Sequence, residues 1–221
     1  GPVVIDITKN AQIEMLDFQY KKQGPIRSYK PKPKPSTSAL TAAAALINAA
    51  EQPLILAGHG IQIAHAQDAF RQFVEKSGIP LACTIHGLSS IPNSHPLHMG
   101  MLGMHGNYAP NVMQNRCDVL IAIGMRFDDR VTGNLEKYAK QAKVIHIEID
   151  PSEINKNVPA DVAVLADAKE ALEKLLPMIK EKQYPEWIAR FKEMDAEEEE
   201  KVIRHDMSPS EDGQIRMGMV V

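Results

Sequence analysis

Five short apolar runs, rich in β-branched residues and separated by stretches of helical spacing, constrain this chain more than any other feature. The clearest is Val119-Leu-Ile-Ala-Ile123, ended by Gly124. A run this short, closed by glycine, reads as a strand buried on both faces. Leu54-Ile-Leu-Ala57 before Gly58, Ile79-Pro-Leu-Ala-Cys-Thr84, Lys143-Val-Ile-His-Ile-Glu-Ile-Asp150 and Asp161-Val-Ala-Val-Leu-Ala-Asp167 repeat the pattern. Residues 63–77 have helical spacing, with Phe70, Phe73 and Val74 on one face and Gly78 as the stop. An alanine-rich helix over 39–50 has Ser36 and Ser38 as cap candidates. A short helix over 107–116, a helical turn over 135–140 and an amphipathic helix over 168–182 complete the alternation. Strands alternating with helices in this way predict an α/β fold with a doubly wound, mostly parallel sheet. Residues 85–108, rich in Gly, His and Met, lack periodicity and read as a long functional or mobile loop.

The C-terminal ends of parallel strands are where ligands bind in open α/β sheets. Arg126, Asp128, Asp129 and Arg130 are packed just after the central run. Two guanidiniums can grip phosphate or carboxylate oxygens, and two carboxylates can orient them or accept from ribose hydroxyls. The alternative is a surface turn of paired charges. Glycines at strand ends would let backbone N–H groups approach a phosphate, but Gly58-His59-Gly60 is not a complete G-x-G-x-x-G. Glu148 ends a strand where an acidic side chain would accept from a ribose hydroxyl, and Asp167 repeats the position one strand later. Each has a solvated strand end as its alternative. His95, His98 and His105 share one loop without a Cys or acidic partner at ligand spacing, so no metal site is expected. Nor is a hydrolase: there is no glycine-flanked serine nucleophile, and neither cysteine has an evident activating base.

A chain of 221 residues can form one large domain or two small ones. A net charge of -3 gives no reason to expect nucleic acid or an anionic membrane as partner. No run is long and apolar enough to span a bilayer, and no signal-peptide pattern is present. Cys83 and Cys117 flank buried strands and are expected to act as small apolar residues in a reducing, cytoplasmic setting. Lys30-Pro-Lys-Pro-Lys-Pro35 reads as an extended linker. The Glu197–Glu200 run reads as a solvated helix face, and the apolar stretches at both ends suggest excision from a longer polypeptide.

Met101-Leu-Gly-Met-His-Gly106, Arg126-Phe-Asp-Asp-Arg-Val-Thr-Gly133 and His146-Ile-Glu-Ile-Asp150 together resemble the central domain of acetohydroxyacid synthase, the thiamine-diphosphate enzyme also called acetolactate synthase. The resemblance runs from Gly1 to about Ile179. It implies a Rossmann-like central domain over residues 36–183. Residues 1–35 would be the end of a preceding domain with its Pro/Lys linker, and 184–221 a linker helix and the start of a following domain. It implies FAD held in an extended pose, with no net redox role in forming acetolactate. The implied flavin contacts are Arg27, Gly58, Gly60, Thr84, Ile85, Leu102, Gly103, Met104 and His105. They continue with Gly124, Met125, Arg126, Phe127, Asp128, Glu148, Ile149, Asp167 and Ala168. Asp129 and Arg130 match positions lining the substrate channel, where the arginine would pair with a substrate carboxylate. His59 stands where the family has a glycine-rich turn, and its side chain is expected to crowd the cofactor's approach.

The family's catalytic glutamate would precede Gly1, and its motif for thiamine diphosphate and Mg²⁺ would follow Val221. No synthase activity is therefore expected of this chain by itself. Implied partners are the two other domains, further copies in a homo-oligomer, and a small regulatory subunit. Two other readings remain: the middle domain of another thiamine-dependent decarboxylase or carboligase, and a structural domain for subunit contacts.

Overall fold

The computed structural model describes residues 4–22, 30–204, 207–208, 210 and 213–215. It divides into two compact units, residues 1–30 and 31–221. The first carries a turn in which Gln12 donates its backbone N–H to Thr8 (3.2 Å). Residues 1–7, Gly1-Pro-Val-Val-Ile-Asp-Ile7, have the apolar, β-branched make-up of a strand, yet none forms at residues 4–7, and residues 1–3 lie outside the described part. A lone run has no neighbour with which to build a ladder.

The second unit is a six-stranded parallel sheet: β1 Pro53–Ala57, β2 Leu81–Cys83, β3 His98–Met101, β4 Val119–Ile123, β5 Lys143–Glu148 and β6 Val162–Leu165. Their spatial order is β3-β2-β1-β4-β5-β6. The order reverses between β1 and β4, the switch point at which such sheets open a crevice. The expected doubly wound fold is present, with one strand more than the sequence suggested. That strand, β3, lies inside the stretch read as a loop; its four residues include Gly100 at φ +99°, too short and irregular to show a period of two.

Helices cover the sheet: α1 Thr37–Ala49, α2 Gly60–Ile63, α3 Gln67–Ser77, α4 Tyr108–Met113, α5 Asp129–Thr132, α6 Ala168–Leu175 and α7 Pro185–Glu198. The helix expected over 63–77 is two pieces, because His65 adopts φ +51° between α2 and α3. The amphipathic helix expected over 168–182 stops at Leu175, and residues 135–140 form turns without a helix. The core runs continuously from α1 through both central strands to α6 and α7, and Leu54, Ile55, Leu120 and Ile121 have no exposed surface. Both cysteines are buried and free, and burial pushes each thiol up to about 12, so they are packing groups.

At the N-terminal edge of the sheet, Asp118 organises the entry to β1. Its carboxylate accepts from the backbone N–H groups of Glu51 (2.6 Å) and Gln52 (3.0 Å). Asp118→Ala leaves both donors without this partner and is expected to lower unfolding free energy by about 1–3 kcal/mol. Urea denaturation is the check; an unchanged midpoint would mean that water replaces the carboxylate without loss. Helix α7 packs on the same edge through buried Trp187 and Phe191, with Trp187 Nε1 donating to the Pro53 carbonyl (2.8 Å).

Candidate functional site

A cleft of about 900 Å³ opens at the C-terminal edge of the sheet, across the switch point. Six segments that are far apart in sequence build it: the turns after β1, β2, β3 and β4, and the ends of β5 and β6. Its volume lies in the upper part of the roughly 300–1,000 Å³ usual for small-molecule sites.

Its floor is where the β1 and β4 turns meet. Gly58 N–H donates to the Ile123 carbonyl (2.9 Å), Gly60 N–H to Gly124 (2.8 Å) and Gly124 N–H to Ile147 (2.8 Å). These donors are therefore engaged within the protein and do not form the phosphate cradle the sequence suggested. Glycine is needed for a different reason. A Cβ on Gly60 would stand 2.6 Å from the Gly124 Cα, and one on Gly58 would stand 2.3 Å from the Gly124 carbonyl oxygen. The two backbones touch.

The turn after β4 alternates. Met125 and Phe127 are buried, whereas Arg126 between them is exposed into the cleft. Buried His146, on β5, donates from Nε2 to the Met125 carbonyl (2.8 Å), since a carbonyl can only accept. Its ring packs edge-on to Phe127, centroids 5.0 Å apart, and Asn157 Nδ2 donates to the Phe127 carbonyl (2.6 Å). The backbone is thus anchored on both sides of Arg126, whose mostly exposed side chain lines the cleft. Arg126 Nε lies 3.4 Å from Asp128 Oδ2, while Asp128 Oδ1 accepts from Arg130 N–H (3.1 Å) and starts α5. Burial lowers the pKa of His146 against the upward pull of its bond to Met125 and of Glu148 and Glu153, so the ring is held neutral.

On the opposite wall, Leu102, Gly103, Met104 and His105 line the cleft together with Arg130. Asn111 clamps Gly103 twice, accepting from its N–H and donating to its carbonyl, both at 2.9 Å. Met104 N–H donates to the Arg130 carbonyl (2.7 Å), joining the turn after β3 to α5. Thr84 and Ile85 line the β2 end; Glu148, Ile149, Asp167 and Ala168 line the β5–β6 end. Glu148 Oε1 accepts from the N–H groups of Ile149 (2.8 Å) and Asp150 (3.1 Å), which fixes the carboxylate on the rim. Asp167 caps α6, accepting from Lys169 N–H (2.9 Å).

Of the residues singled out from the sequence, Gly60, Thr84, Ile85, Leu102, Gly103, Met104, His105, Gly124, Met125, Arg126, Asp128, Arg130, Glu148, Ile149, Asp167 and Ala168 face this one cleft. Gly58 and Phe127 lie buried beneath it, and Asp129 does not line it. Arg27 lies outside the described residues. His59 also faces the cleft, with Nδ1 2.9 Å from both the His86 carbonyl and Gln62 Oε1. Two acceptors at Nδ1 fix its proton there and swing the ring toward His86, against which it packs edge-on at 5.9 Å. Asn107, Asn111, His146 and Asn157 were given no role at the site from the sequence, although His146 opens one of the quoted motifs. Of these only His146 carried a signal, as the one imidazole in a run of β-branched residues. Among the described residues, no three His, Cys, Asp or Glu side chains converge as a metal site, and no helix is long and apolar enough to cross a membrane.

Relatives share much of this sequence. An acetolactate synthase large subunit of Corynebacterium glutamicum is 42% identical over 180 residues, covering 81% of this chain and 29% of the relative. A probable acetolactate synthase large subunit of Methanocaldococcus jannaschii is 42% identical over 202 residues, covering 88% and 34%. The isozyme 3 large subunit of Escherichia coli is 36% identical over 181 residues, covering 81% and 32%. The chain thus spans about a third of the length of the curated relatives it matches. The family model for the central domain of thiamine pyrophosphate enzymes matches residues 40–175, which take in all six strands and every wall of the cleft. By that match over more than half its length, joined to a parallel sheet in the 3-2-1-4-5-6 order, the chain belongs to the thiamine pyrophosphate enzyme central-domain family.

Proposed function

We propose that this chain is the FAD-holding central domain of an acetolactate synthase large subunit. The whole enzyme would condense two pyruvates, or pyruvate and 2-oxobutyrate, with loss of CO₂, and use thiamine diphosphate and Mg²⁺ held by other domains. The observation that carries the reading is convergence. Residues taken from separate motifs, at the ends of different strands, line one cleft large enough for a dinucleotide. Arg126 would meet phosphate oxygens from an anchored backbone, and the rim carboxylate of Glu148 would accept from a ribose hydroxyl. With the glycine N–H groups engaged at the floor, side chains rather than a backbone cradle would grip the phosphates. When bound, the flavin supplies no net oxidation or reduction to the carboligation. Asp129 and Arg130 would belong to the substrate channel, Arg130 as partner of a substrate carboxylate.

Residues 36–183 would be the cofactor domain proper, with 1–35 and 184–221 connecting it to its neighbours. Those neighbours, further copies of the chain and a small regulatory subunit are its proposed partners, in the cytoplasm.

The test is retention of flavin. The purified chain is mixed with FAD, passed through gel filtration and read in the visible region. Retained yellow colour is expected, and Arg126→Ala is expected to weaken binding about tenfold, the loss of one charge-assisted contact. If neither the parent nor a His59→Gly variant holds FAD at millimolar concentration, the flavin reading is wrong for this chain. A colourless protein that self-associates would favour the subunit-contact role.

A further inference from the structure

The Glu197–Glu200 run was expected to be a solvated helix face, and three of its four members are. Glu197 pairs with Lys201 (2.6 Å), Glu199 with Arg204 (3.5 Å), and Glu200 is exposed. Glu198 is different. It is half-buried and forms no ion pair among the described residues. Its Oε1 accepts from Tyr108 N–H at 3.0 Å, and its Oε2 lies 3.4 Å from Asn107 Nδ2. Both donors sit at the turn that leads from the cleft wall into α4.

Asn107 is tied to that wall by two further bonds. Its N–H donates to the Met101 carbonyl (2.8 Å), and its Oδ1 accepts from Met101 N–H (3.0 Å). A carboxamide can satisfy Met101 N–H only with its oxygen facing that way, and a half-turn flip would set two donors against each other. A carboxylate only accepts, so Glu198 selects the orientation in which Nδ2 points to it and Oδ1 points to Met101. Space under this contact is tight, since a Cβ on Gly100 would stand 2.4 Å from Asn107 Oδ1.

Helix α7 brings Glu198 to this place. It is pinned at the far edge of the sheet by Trp187 on Pro53 and by buried Phe191, and its 14 residues span about 21 Å at 1.5 Å per residue. Immediately beyond Glu198 the chain changes to a π-helix over Glu199–Ile203.

We propose that Glu198 is a positioning residue for the cleft: its carboxylate, delivered by α7, orients Asn107 and thereby fixes residues 101–105, the wall against which the ligand packs. A change in α7 is then felt at the cleft without touching it. That the ligand is a flavin rests on the function proposed above; the orientation of the wall does not.

The experiment compares Glu198→Ala, Glu198→Gln, Asn107→Asp and the double variant Glu198→Gln/Asn107→Asp with the parent 221-residue chain. Two quantities are read: backbone amide exchange of residues 101–105, and affinity for FAD. Glu198→Gln sets an amide N–H₂ against Asn107 Nδ2, and Asn107→Asp sets two carboxylates face to face. In the double variant the glutamine amide donates to the new carboxylate, and both remaining acceptors keep their partners. Each single change is expected to speed exchange of the wall about three- to tenfold and weaken FAD binding by a similar factor, while β1 and β4 exchange as before. The double variant is expected to return both to within about twofold of the parent. Unchanged wall exchange in the single variants, or a double variant no better than they are, overturns the proposal. So does faster exchange with undiminished FAD affinity, which would leave Glu198 a merely structural clasp. If the parent holds no FAD, the flavin reading fails, and the exchange data with the double-variant rescue decide the proposal alone.

Discussion

Alanine at Gly124 is expected to be the most damaging small substitution in the sheet. Gly124 has φ +58°, where an L-residue is strained, and a Cβ there would lie 2.7 Å from the Gly60 Cα and 2.9 Å from its carbonyl carbon. Both neighbours are backbone and cannot swing aside. The left-handed conformation costs about 1–2 kcal/mol and the overpacking about 1–3 kcal/mol, so roughly 2–5 kcal/mol in all. Against a stability of about 5–15 kcal/mol that is a large share, and it corresponds to a drop in Tm of roughly 10 °C. Gly60→Ala separates the two causes. Its backbone needs no positive φ, yet its Cβ would meet the Gly124 Cα at 2.6 Å. It is expected to lose only the overpacking part. Thermal and urea unfolding of both variants measure this; a Gly60→Ala protein as stable as the parent would show that the turns after β1 and β4 can separate freely.

His146 carries the second large effect, and it depends on pH. Its Nε2–H satisfies the Met125 carbonyl, and its Nδ1 is buried without a partner among the described residues. Replacing it with leucine leaves the carbonyl unpaired in the core, expected to cost about 1–3 kcal/mol. Burial places the folded-state pKa of His146 below the ordinary value of 6.5. As pH falls through 6.5, the unfolded chain takes up a proton that the folded one refuses. The unfolded state then binds more protons, and stability falls with falling pH by up to about 1.4 kcal/mol per unit. That loss begins near 6.5 and ends only below the folded-state value. The parent is thus expected to lose more stability between pH 7.5 and 5.5 than His146→Gln, which has no proton to refuse. His98, also lowered by burial, and Asp195, raised by burial, are common to both proteins and cancel in the comparison. Equal losses in the two proteins would show that His146 titrates as in the unfolded chain.

Such effects mark the boundary between what local pattern records and what it cannot. Five of the six strands were legible because each lies in a short apolar run bounded by turn residues, clearest in Val119–Ile123, which is buried at every position; such a run needs no tertiary information to be seen. Strand β3 was not, because it is an edge strand of four residues paired irregularly with β2. The break between α2 and α3 was hidden likewise, since hydrophobic spacing continues through His65 while its backbone turns.

By itself the sequence determined the parallel α/β class, the strand ends that line the cleft, and through its motifs the family. Periodicity and turn chemistry are local, and both survive in a string of letters. Tertiary structure decided which glycines touch each other, and which of four adjacent glutamates reaches across to Asn107. It also decided that a strand histidine, 21 positions away from Met125, aims the Arg126 loop. These contacts join residues that no period connects, and their partners exist only once the chain has folded.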